Sequence, residues 1–176
     1  MVIEAFIAAE DSNFFQHQGV DLLGLVRAFK ANLEAGRTVQ GASTITQQMI
    51  RTFLLTNERT YDRKLREIVL AWRAERTFSK DEILHLYLNR IYLGRGAYGV
   101  ESAARLYFGT GIDEDSLAEA SILAGLAKAP GRSAPHLGTA RTKDPQRHAL
   151  GRRKHATFIT ENNYKAALHT NPPYLN

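Results

Sequence analysis

The stretch SKDEILHLYLNR, residues 79–90, decides the fold class. Its first four residues form a capping box, in which a serine hydroxyl and a glutamate three residues later satisfy free N–H groups at a helix start. The same signal recurs in SLAE at residues 116–119 and in TITQ at residues 44–47. No segment alternates apolar and polar residues convincingly with a period of two, so the sequence predicts an all-α fold.

Glycine and proline residues mark where the predicted helices end. Gly36 and Gly109 are placed as helix ends, and Pro130 closes the segment LAEASILAGLAKAP. The predicted helices cover residues 2–14, 20–35, 44–55, 60–77, 80–92, 99–108, 116–128 and 145–160. Three segments are predicted to be irregular: the loop LGRGAYG at 93–99, the connection at 131–146, and the tail HTNPPYLN at 169–176, a frayed end or a linker.

Composition indicates one ordinary folded domain. The chain has 176 residues, of which 44% are hydrophobic and 23% charged, as in globular proteins. The absence of cysteine excludes a disulfide framework and a thiolate metal site. The net charge of +5 suggests an anionic partner, which could be nucleic acid, an acidic membrane surface or a phosphorylated substrate. No apolar run is long enough to span a bilayer and no signal peptide is present, so an anchor or targeting segment is expected upstream of Met1.

The segment AAEDSNFFQHQG, residues 8–19, places two acids where stability does not require them. Glu10 and Asp11 lie near the end of the first predicted helix, where the helix dipole disfavours negative charge. Apolar neighbours at helical spacing would partly desolvate Glu10 and raise its pKa toward the range that suits proton transfer. Glu10 is therefore a candidate general base, and the alternative is a surface glutamate whose stem packs on an apolar neighbour. The apolar neighbours are Phe6, Ile7 and Phe14.

A second candidate site lies in GASTITQQMIR, residues 41–51. Thr44, Gln47, Gln48 and Arg51 fall on one flank of a helix, near its N-terminus. Free N–H groups together with such side chains would suit a phosphate or a sugar. The alternative is a well-capped helix with a solvated face.

A third candidate is DRKLREIVLAW, residues 62–72, which combines an ion-paired face with an apolar face. Arg63 and Lys64 are spaced to pair with Glu67, and exposed pairs of this kind contribute about 0.2–0.5 kcal/mol each. An ordinary ion-paired surface is the alternative to a binding role. The apolar residues predicted to build the core face are Leu65, Ile68, Val69 and Trp72.

The segment VDLLGLVRAFKANL, residues 20–33, carries an apolar stripe flanked by Arg27 and Lys30. Core packing is the default interpretation of such a stripe, and binding to an anionic membrane surface is the alternative. The stripe consists of Leu22, Leu25, Val26, Phe29 and Leu33.

The segments EDSNFFQHQG, QGASTITQQ, RKLRE and SKDEILHLYLNRIYLGRGAYG occur in the order found in peptidoglycan glycosyltransferases. Over residues 2–160 the chain resembles the glycosyltransferase domain of class A penicillin-binding proteins, above all the 1A type, and it is similar to monofunctional glycosyltransferases. The resemblance implies a lysozyme-like α-helical fold with a large lobe and a small membrane-facing lobe around a cleft. It also implies a glycosyltransferase domain over residues 1–160 and a C-terminal extension or linker over residues 161–176. A membrane anchor and any transpeptidase domain are expected outside the chain.

The resemblance also implies site residues. Glu10 matches the catalytic glutamate of the first motif, and Glu67 matches the second essential carboxylate. Arg152 and Arg153 match the last motif, and no SxxK motif for covalent penicillin binding occurs. The substrate-binding positions implied are Asp11, His17, Ser43, Thr44, Gln47, Gln48, Arg51, Arg63, Lys64, Lys80 and Asn89, and Phe14, Gly19 and Tyr87 match further motif positions.

The implied reaction polymerises lipid II into β-1,4-linked glycan and releases undecaprenyl pyrophosphate. Glu10 would remove the proton from the attacking hydroxyl, and Arg51, Arg63 and Lys64 would stabilise the leaving pyrophosphate. Glu67 would either orient these cations or hold a divalent metal, Mg²⁺ or Mn²⁺, and the sequence does not choose between the two. The implied partners are lipid II, the growing glycan strand, the membrane surface and moenomycin-type inhibitors. The implied location is the outer face of the bacterial cytoplasmic membrane.

Three rival functions remain at this stage. A lysozyme-like glycan hydrolase shares paired carboxylates and a helical cleft, but its leaving group is a neutral sugar hydroxyl, which does not need a cluster of cations. A catalytically impaired fragment that binds membrane or glycan is the second rival. A nucleic-acid-binding module is the third and is disfavoured, because the basic residues are dispersed among acids and no recognition motif occurs.

Overall fold

A computed structural model describes residues 1–37, 41–55, 58, 60–114, 116–128, 143–155 and 159–170. Within these ranges the secondary structure is helical, apart from an isolated bridge between Tyr92 and Tyr98. The all-α prediction is confirmed. The helices are α1 Val2–Glu10, α2 Leu22–Ala35, α3 Ile45–Leu54, α4 Tyr61–Thr77, α5 Lys80–Arg90, α6 Val100–Phe108, α7 Leu117–Lys128, α8 Lys143–His155 and α9 Glu161–His169, with 3₁₀ turns at Phe14–Gln16 and Ile112–Glu114.

Capping residues begin the helices where the sequence places them. In the boxes at Ser79 and Ser116, the serine N–H donates to the glutamate three residues later at 2.7 Å. Thr44 forms the third box with Gln47. Gly36 and Gly109 end helices in the left-handed conformation, as predicted. Pro130, nearly all of the connection at 131–146, and residues 171–176 of the tail lie outside the described residues.

The first helix is shorter than predicted. α1 ends at Glu10, because Asp11 leaves the helical region with φ −155° and ψ 73°. The polar run Asp11–Asn13 explains this end, since such side chains compete with the helix for backbone hydrogen bonds. The predicted helix over residues 2–14 is therefore wrong beyond Glu10, and Phe14 lies in a separate 3₁₀ turn.

α9 is a helix that the sequence analysis missed. Thr160 caps it by accepting a hydrogen bond from the N–H of Asn163 at 3.2 Å. Gln146 of α8 donates to the carbonyl of the buried Ala167 at 3.2 Å. Part of the predicted C-terminal extension is thus a packed helix, while the domain boundary at residue 160 stays a prediction.

The chain divides into two compact units. The first contains Met1–Ser12 and Leu88–Asn176, and its central helix is α7, which packs against α1, α6 and α8. Every residue of α7 from Ala118 to Leu126 is buried, as expected for a helix surrounded by others. α1 contributes buried side chains along most of its length.

The second unit contains Asn13–Tyr87, and α3 packs against α4 within it. The predicted core face of α4 is wrong, because Leu65 is 62% exposed and Val69 and Trp72 are also exposed. The opposite face is buried instead, through Glu67, Ala71 and Ala74. The small side chains of this face permit close backbone approach.

The turn at the end of the first motif, EDSNFFQHQG, comes close to this face of α4. A Cβ atom on Gly19 would lie 2.9 Å from the carbonyl carbon and oxygen of Ala71. Gly19 also has φ +85°, a conformation that L side chains rarely adopt. Only glycine therefore lets the turn pack here.

α2 exposes its apolar stripe. Asp21 caps the helix by accepting a hydrogen bond from the N–H of Gly24 at 2.8 Å, and Ala28 is the buried residue of the helix. Core packing, the default interpretation of the stripe, is therefore wrong within this chain. No helix in the described ranges is long and apolar enough to cross a bilayer. The exposed apolar residues of α2 are Leu22, Leu23, Leu25, Val26, Phe29 and Leu33.

Candidate active site

Glu10 is the last residue of α1, and the helix that carries it is firmly held in the first unit. Phe6 and Ile7 are buried, and full burial of such a side chain contributes about 1.5–3 kcal/mol. The two arginines of the last motif also bind this helix. Arg152 Nε donates to the carbonyl of Ala8 at 3.0 Å, and Arg153 Nη2 donates to Glu4 at 2.9 Å. The backbone next to Glu10 is therefore fixed.

Lys128, at the end of α7, lies in the electrostatic field of Glu10. Burial lowers the pKa of Lys128, the Glu10 carboxylate opposes that change, and the Arg152 guanidinium adds to it. Part of the Lys128 side chain is nevertheless exposed. Lys128 and Glu10 therefore interact electrostatically within the first unit. Asp11, the next residue after Glu10, is buried.

Residues of the second and third motifs meet around Glu67 in the second unit. The Glu67 side chain is 1% exposed. Arg63 Nη1 donates to Glu67 Oε2 at 2.5 Å, and Lys64 Nζ donates to Glu67 Oε1. Lys64 Nζ also donates to Gln47 Oε1 at 3.2 Å and Ser43 Oγ at 3.1 Å. The alternative of an ordinary exposed ion pair is wrong here, because the shared carboxylate is buried.

The surroundings of Glu67 do not suit the binding of a metal ion. Both of its carboxylate oxygens are paired with cations, and a third cation would be repelled by the other two. The described residues also contain no group of three or more His, Cys, Asp or Glu side chains that could hold a metal ion. Of the two roles that the sequence left open, this geometry supports the orientation of Arg63 and Lys64.

The turn between Asn13 and Asp21 brings His17 to the same unit. The N–H of Gly19 donates to His17 Nδ1 at 3.2 Å, which places the proton of the neutral ring on Nε2. Thr44 Oγ1 donates to the carbonyl of Gly19 at 2.7 Å. Thr44 therefore holds the turn as well as capping α3.

Lys80 binds the protein backbone in this structure. Its Nζ donates to the carbonyl of His17 at 2.7 Å and lies 4.4 Å from the centre of the Phe14 ring. The sequence analysis assigned Lys80 to substrate binding. Its contacts instead support a role in holding the turn.

The remaining predicted site residues are more scattered. The hydroxyl of Tyr87 donates to Gln48 Oε1 at 3.4 Å, and Arg51 is exposed on α3. Asn89 is exposed on α5 and belongs, like Glu10, to the first unit. Within the second unit, the structure groups Ser43, Gln47, Arg63, Lys64 and Glu67 closely.

A protein-family model described as "Transglycosylase" matches residues 1–154. The chain belongs to the transglycosylase family. The transglycosylase domain is 49% identical to penicillin-binding protein 1A of Aquifex aeolicus over 167 residues, which are 95% of this chain and 23% of the relative. It is 44% identical to penicillin-binding protein 1A of Pseudomonas aeruginosa over 99% of this chain and 22% of the relative. The chain therefore spans less than a quarter of the length of these relatives.

A solved structure supports the same family. The crystal structure of penicillin-binding protein 1A from Haemophilus influenzae matches with a TM-score of 0.52 and 30% identity. The match covers 74% of this chain and 16% of that chain. The resemblance to class A penicillin-binding proteins, predicted from the motifs, is confirmed.

Two residues near the candidate site residues, Lys128 and Glu75, were not predicted from the sequence. Lys128 sits in the segment LAKAP, which carried only a helix-end signal. Glu75 is buried beside Thr46 and Lys80, but a single acid in the charged run RAERTFSK has no distinguishing pattern of its own. Its spacing of eight residues from Glu67 places both acids on one face of α4, and that signal could have found it.

Proposed function

We propose that this transglycosylase domain polymerises lipid II into β-1,4-linked glycan strands of peptidoglycan and releases undecaprenyl pyrophosphate. The observation that carries the proposal is the buried Glu67, which holds Arg63 and Lys64 side by side. Fixed cations stabilise a leaving group that gains negative charge, as a pyrophosphate does. A hydrolase that releases a neutral sugar hydroxyl has no use for them. The match to the transglycosylase family supports a glycosyl-transfer reaction.

Glu10 acts as the general base in the proposed reaction. Its carboxylate takes the proton from the 4-hydroxyl of the acceptor's terminal GlcNAc, and the oxygen attacks the anomeric carbon of the donor's MurNAc. The bond from that carbon to the pyrophosphate breaks, and its electron pair leaves with the phosphate oxygen. Attack from the face opposite the leaving group inverts the configuration and gives the β-1,4 link. The fixed end of α1 supports this role, because a base must be held in position.

Arg63 and Lys64 stabilise the departing pyrophosphate, and Glu67 keeps them in place. The ion pairs are formed before substrate arrives, so little reorganisation is needed during the reaction. The Lys64 side chain is 38% exposed, and because its three N–H groups already donate to protein acceptors, Lys64 acts on the pyrophosphate through its positive charge. Arg51, exposed on the neighbouring α3, adds positive charge. The same cations provide the binding chemistry for moenomycin-type inhibitors that carry a phosphate.

The exposed stripe of α2 binds the membrane that contains the lipid-linked substrate. Leu22 and Phe29 are 68% and 70% exposed, and such side chains insert into the boundary between head groups and acyl chains. Arg27 and Lys30 flank the stripe and attract anionic lipids. The proposed location is accordingly the outer face of the bacterial cytoplasmic membrane.

Incubation of the chain with lipid II, followed by separation of the products by length, tests the proposed function. Glycan chains longer than the substrate support the transferase. Shortening of preformed glycan strands would instead establish the hydrolase. Binding of lipid II without any product would establish an impaired binding fragment.

A further inference from the structure

A buried carboxylate on α4 joins three elements of the second unit and has no part in the reaction described so far. The side chain of Glu75 is 4% exposed. Thr46 Oγ1, on the first turns of α3, donates to Glu75 Oε1 at 2.5 Å. Lys80 Nζ, at the start of α5, lies 2.8 Å from each of the two carboxylate oxygens. Glu75 therefore ties α3 and α5 to α4.

The contacts of Lys80 extend this connection to the turn of the first motif. The ammonium that binds Glu75 also donates to the carbonyl of His17 at 2.7 Å. The ring of Phe14, which is fully buried, covers the same ammonium at 4.4 Å. Glu75 thus fixes the direction in which Lys80 donates, and Lys80 fixes the backbone of His17.

Thr46 lies at the N-terminus of α3, the helix end that also holds this turn. It lies two residues after Thr44, whose hydroxyl binds the carbonyl of Gly19 at 2.7 Å. Gly19 in turn donates to His17 Nδ1. Lys80 therefore holds the backbone of His17, while the imidazole accepts from Gly19, whose carbonyl is bound at the N-terminus of α3. The Glu75 carboxylate contacts both Lys80 and that helix end, the latter through Thr46.

We propose that Glu75 is a positioning residue, which sets the orientation and tautomer of His17 through Lys80 and Thr46. This inference rests on the proposed function for its kinetic consequence. Its structural consequence is independent of that function, because the state of His17 can be observed without substrate. Charged hydrogen bonds of this kind are short and strong, so the loss of the carboxylate releases the turn.

The structural consequence is tested by NMR of the chain labelled with ¹⁵N-histidine, at about pH 8.5, where histidine is ordinarily neutral. The signal of His17 is assigned by its loss in His17→Gln. In the unaltered chain we expect the tautomer with the proton on Nε2. In Glu75→Gln we expect a mixture of tautomers or exchange broadening, while Asp62→Asn leaves the signal unchanged. Asp62 is a matched control, because it is an acid on the same helix whose pair with Arg66 is exposed.

The kinetic consequence is tested by the polymerisation of lipid II. We expect Glu75→Gln to lower kcat by about 10–100-fold, the size of effect that a misplaced site residue produces, with KM changed less than kcat. The double variant Glu75→Gln/Lys80→Met should be no slower than Lys80→Met alone, because residues that act through one network are not additive. Additive losses would overturn the inference.

A milder variant keeps the inference testable if Glu75→Gln does not fold. Thr46→Val removes the hydroxyl that donates to Glu75 and nearly preserves the shape of the side chain. It should shift the His17 signal in the same direction. An unchanged His17 signal in a folded Glu75→Gln or Thr46→Val chain would overturn the inference. Failure of the unaltered chain to polymerise lipid II would overturn only the proposed function.

Discussion

The two carboxylates matched to the essential acids of the family differ in nearly every physical respect. Glu10 is partly exposed at the end of a helix, with the ammonium of Lys128 in its electrostatic field. Glu67 is 1% exposed in the middle of a helix, and each of its oxygens is paired with a cation. A partly exposed acid at a helix end can reach a substrate, whereas a buried acid between two cations is placed to hold them.

This difference supports the two proposed roles without appeal to sequence position. A general base must contact the proton that it removes from the substrate, and both oxygens of Glu67 are already bound by cations. Glu67 instead resembles the fixed counter-charge of a preorganised cationic site. The first acid should therefore matter mainly for rate, and the second for the stability and arrangement of the unit that contains it.

Glu10→Gln should produce the largest loss of rate. Removal of a general base costs about 10²–10⁴-fold, while the fold stays intact because the amide has the same shape. Polymerisation of lipid II and thermal unfolding are measured on the same preparation. Glu4→Gln is the matched control on α1: it should lower the melting temperature, because it removes the partner of the buried Arg153, but it should retain turnover. Near-normal turnover by Glu10→Gln would contradict its assignment.

Lys64→Ala should slow polymerisation by roughly two orders of magnitude or more, since a well-placed donor to developing charge contributes about 3–4 kcal/mol. The melting temperature should change little, because Glu67 keeps its bond to Arg63. The variant should also bind moenomycin-type inhibitors more weakly.

Arg66→Ala provides the control for that experiment, because it removes a cation from an exposed pair with Asp62 on the same helix. It should leave rate and inhibitor affinity close to those of the unaltered chain. A Lys64→Ala chain that remains active and sensitive to the inhibitor would contradict the proposal that Arg63 and Lys64 stabilise the leaving pyrophosphate.

Glu67→Gln should lower the free energy of unfolding by about 3–5 kcal/mol, the usual cost of removing one partner from a buried ion pair. Arg63 and Lys64 would then lie side by side without a counter-charge. Denaturant unfolding measures the change, and Asp62→Asn, at an exposed pair, should cost less than about 1 kcal/mol. If Glu67→Gln is as stable as Asp62→Asn, the proposed difference between Glu10 and Glu67 is wrong.

Leu22→Ser/Leu25→Ser tests whether the unit that carries Glu67 also carries the membrane surface. Both leucines are exposed, so their loss should weaken binding to vesicles of anionic lipid more than it lowers the melting temperature. A fall in melting temperature that matches the loss of binding would mean that the stripe contributes to folding instead.

Local sequence signals predicted the helices well. The capping boxes at Thr44, Ser79 and Ser116 and the glycine at residue 109 are local features, and the structure has each of them. The end of α1 was misplaced because the apolar spacing continues to Phe14, although the polar residues after Glu10 end the helix first. α9 was missed because ENNYKAALH is short and weakly apolar.

The burial of α4 could not be predicted from its apolar pattern. The stripe through Leu65 and Val69 is exposed, while a face with Glu67 and two alanines is buried against neighbours far away in the sequence. Periodicity shows that a helix has two faces, but partners elsewhere in the chain decide which one is covered. The site residues themselves came from motif resemblance, the spacing of Glu75 from Glu67 was an unused signal, and Lys128 required the structure.

Chemical rescue tests the central claim, that Glu10 is the general base, most directly. Formate is added to Glu10→Ala and to Lys64→Ala, and the rate of lipid II polymerisation is measured. A small carboxylate can replace a missing base but not a missing cation, so formate should raise the rate of Glu10→Ala by about tenfold or more, part of the 10²–10⁴ that a positioned base contributes. It should leave Lys64→Ala unchanged. The claim would be contradicted if formate did not raise the polymerisation rate of Glu10→Ala, or if it raised the rates of both variants equally.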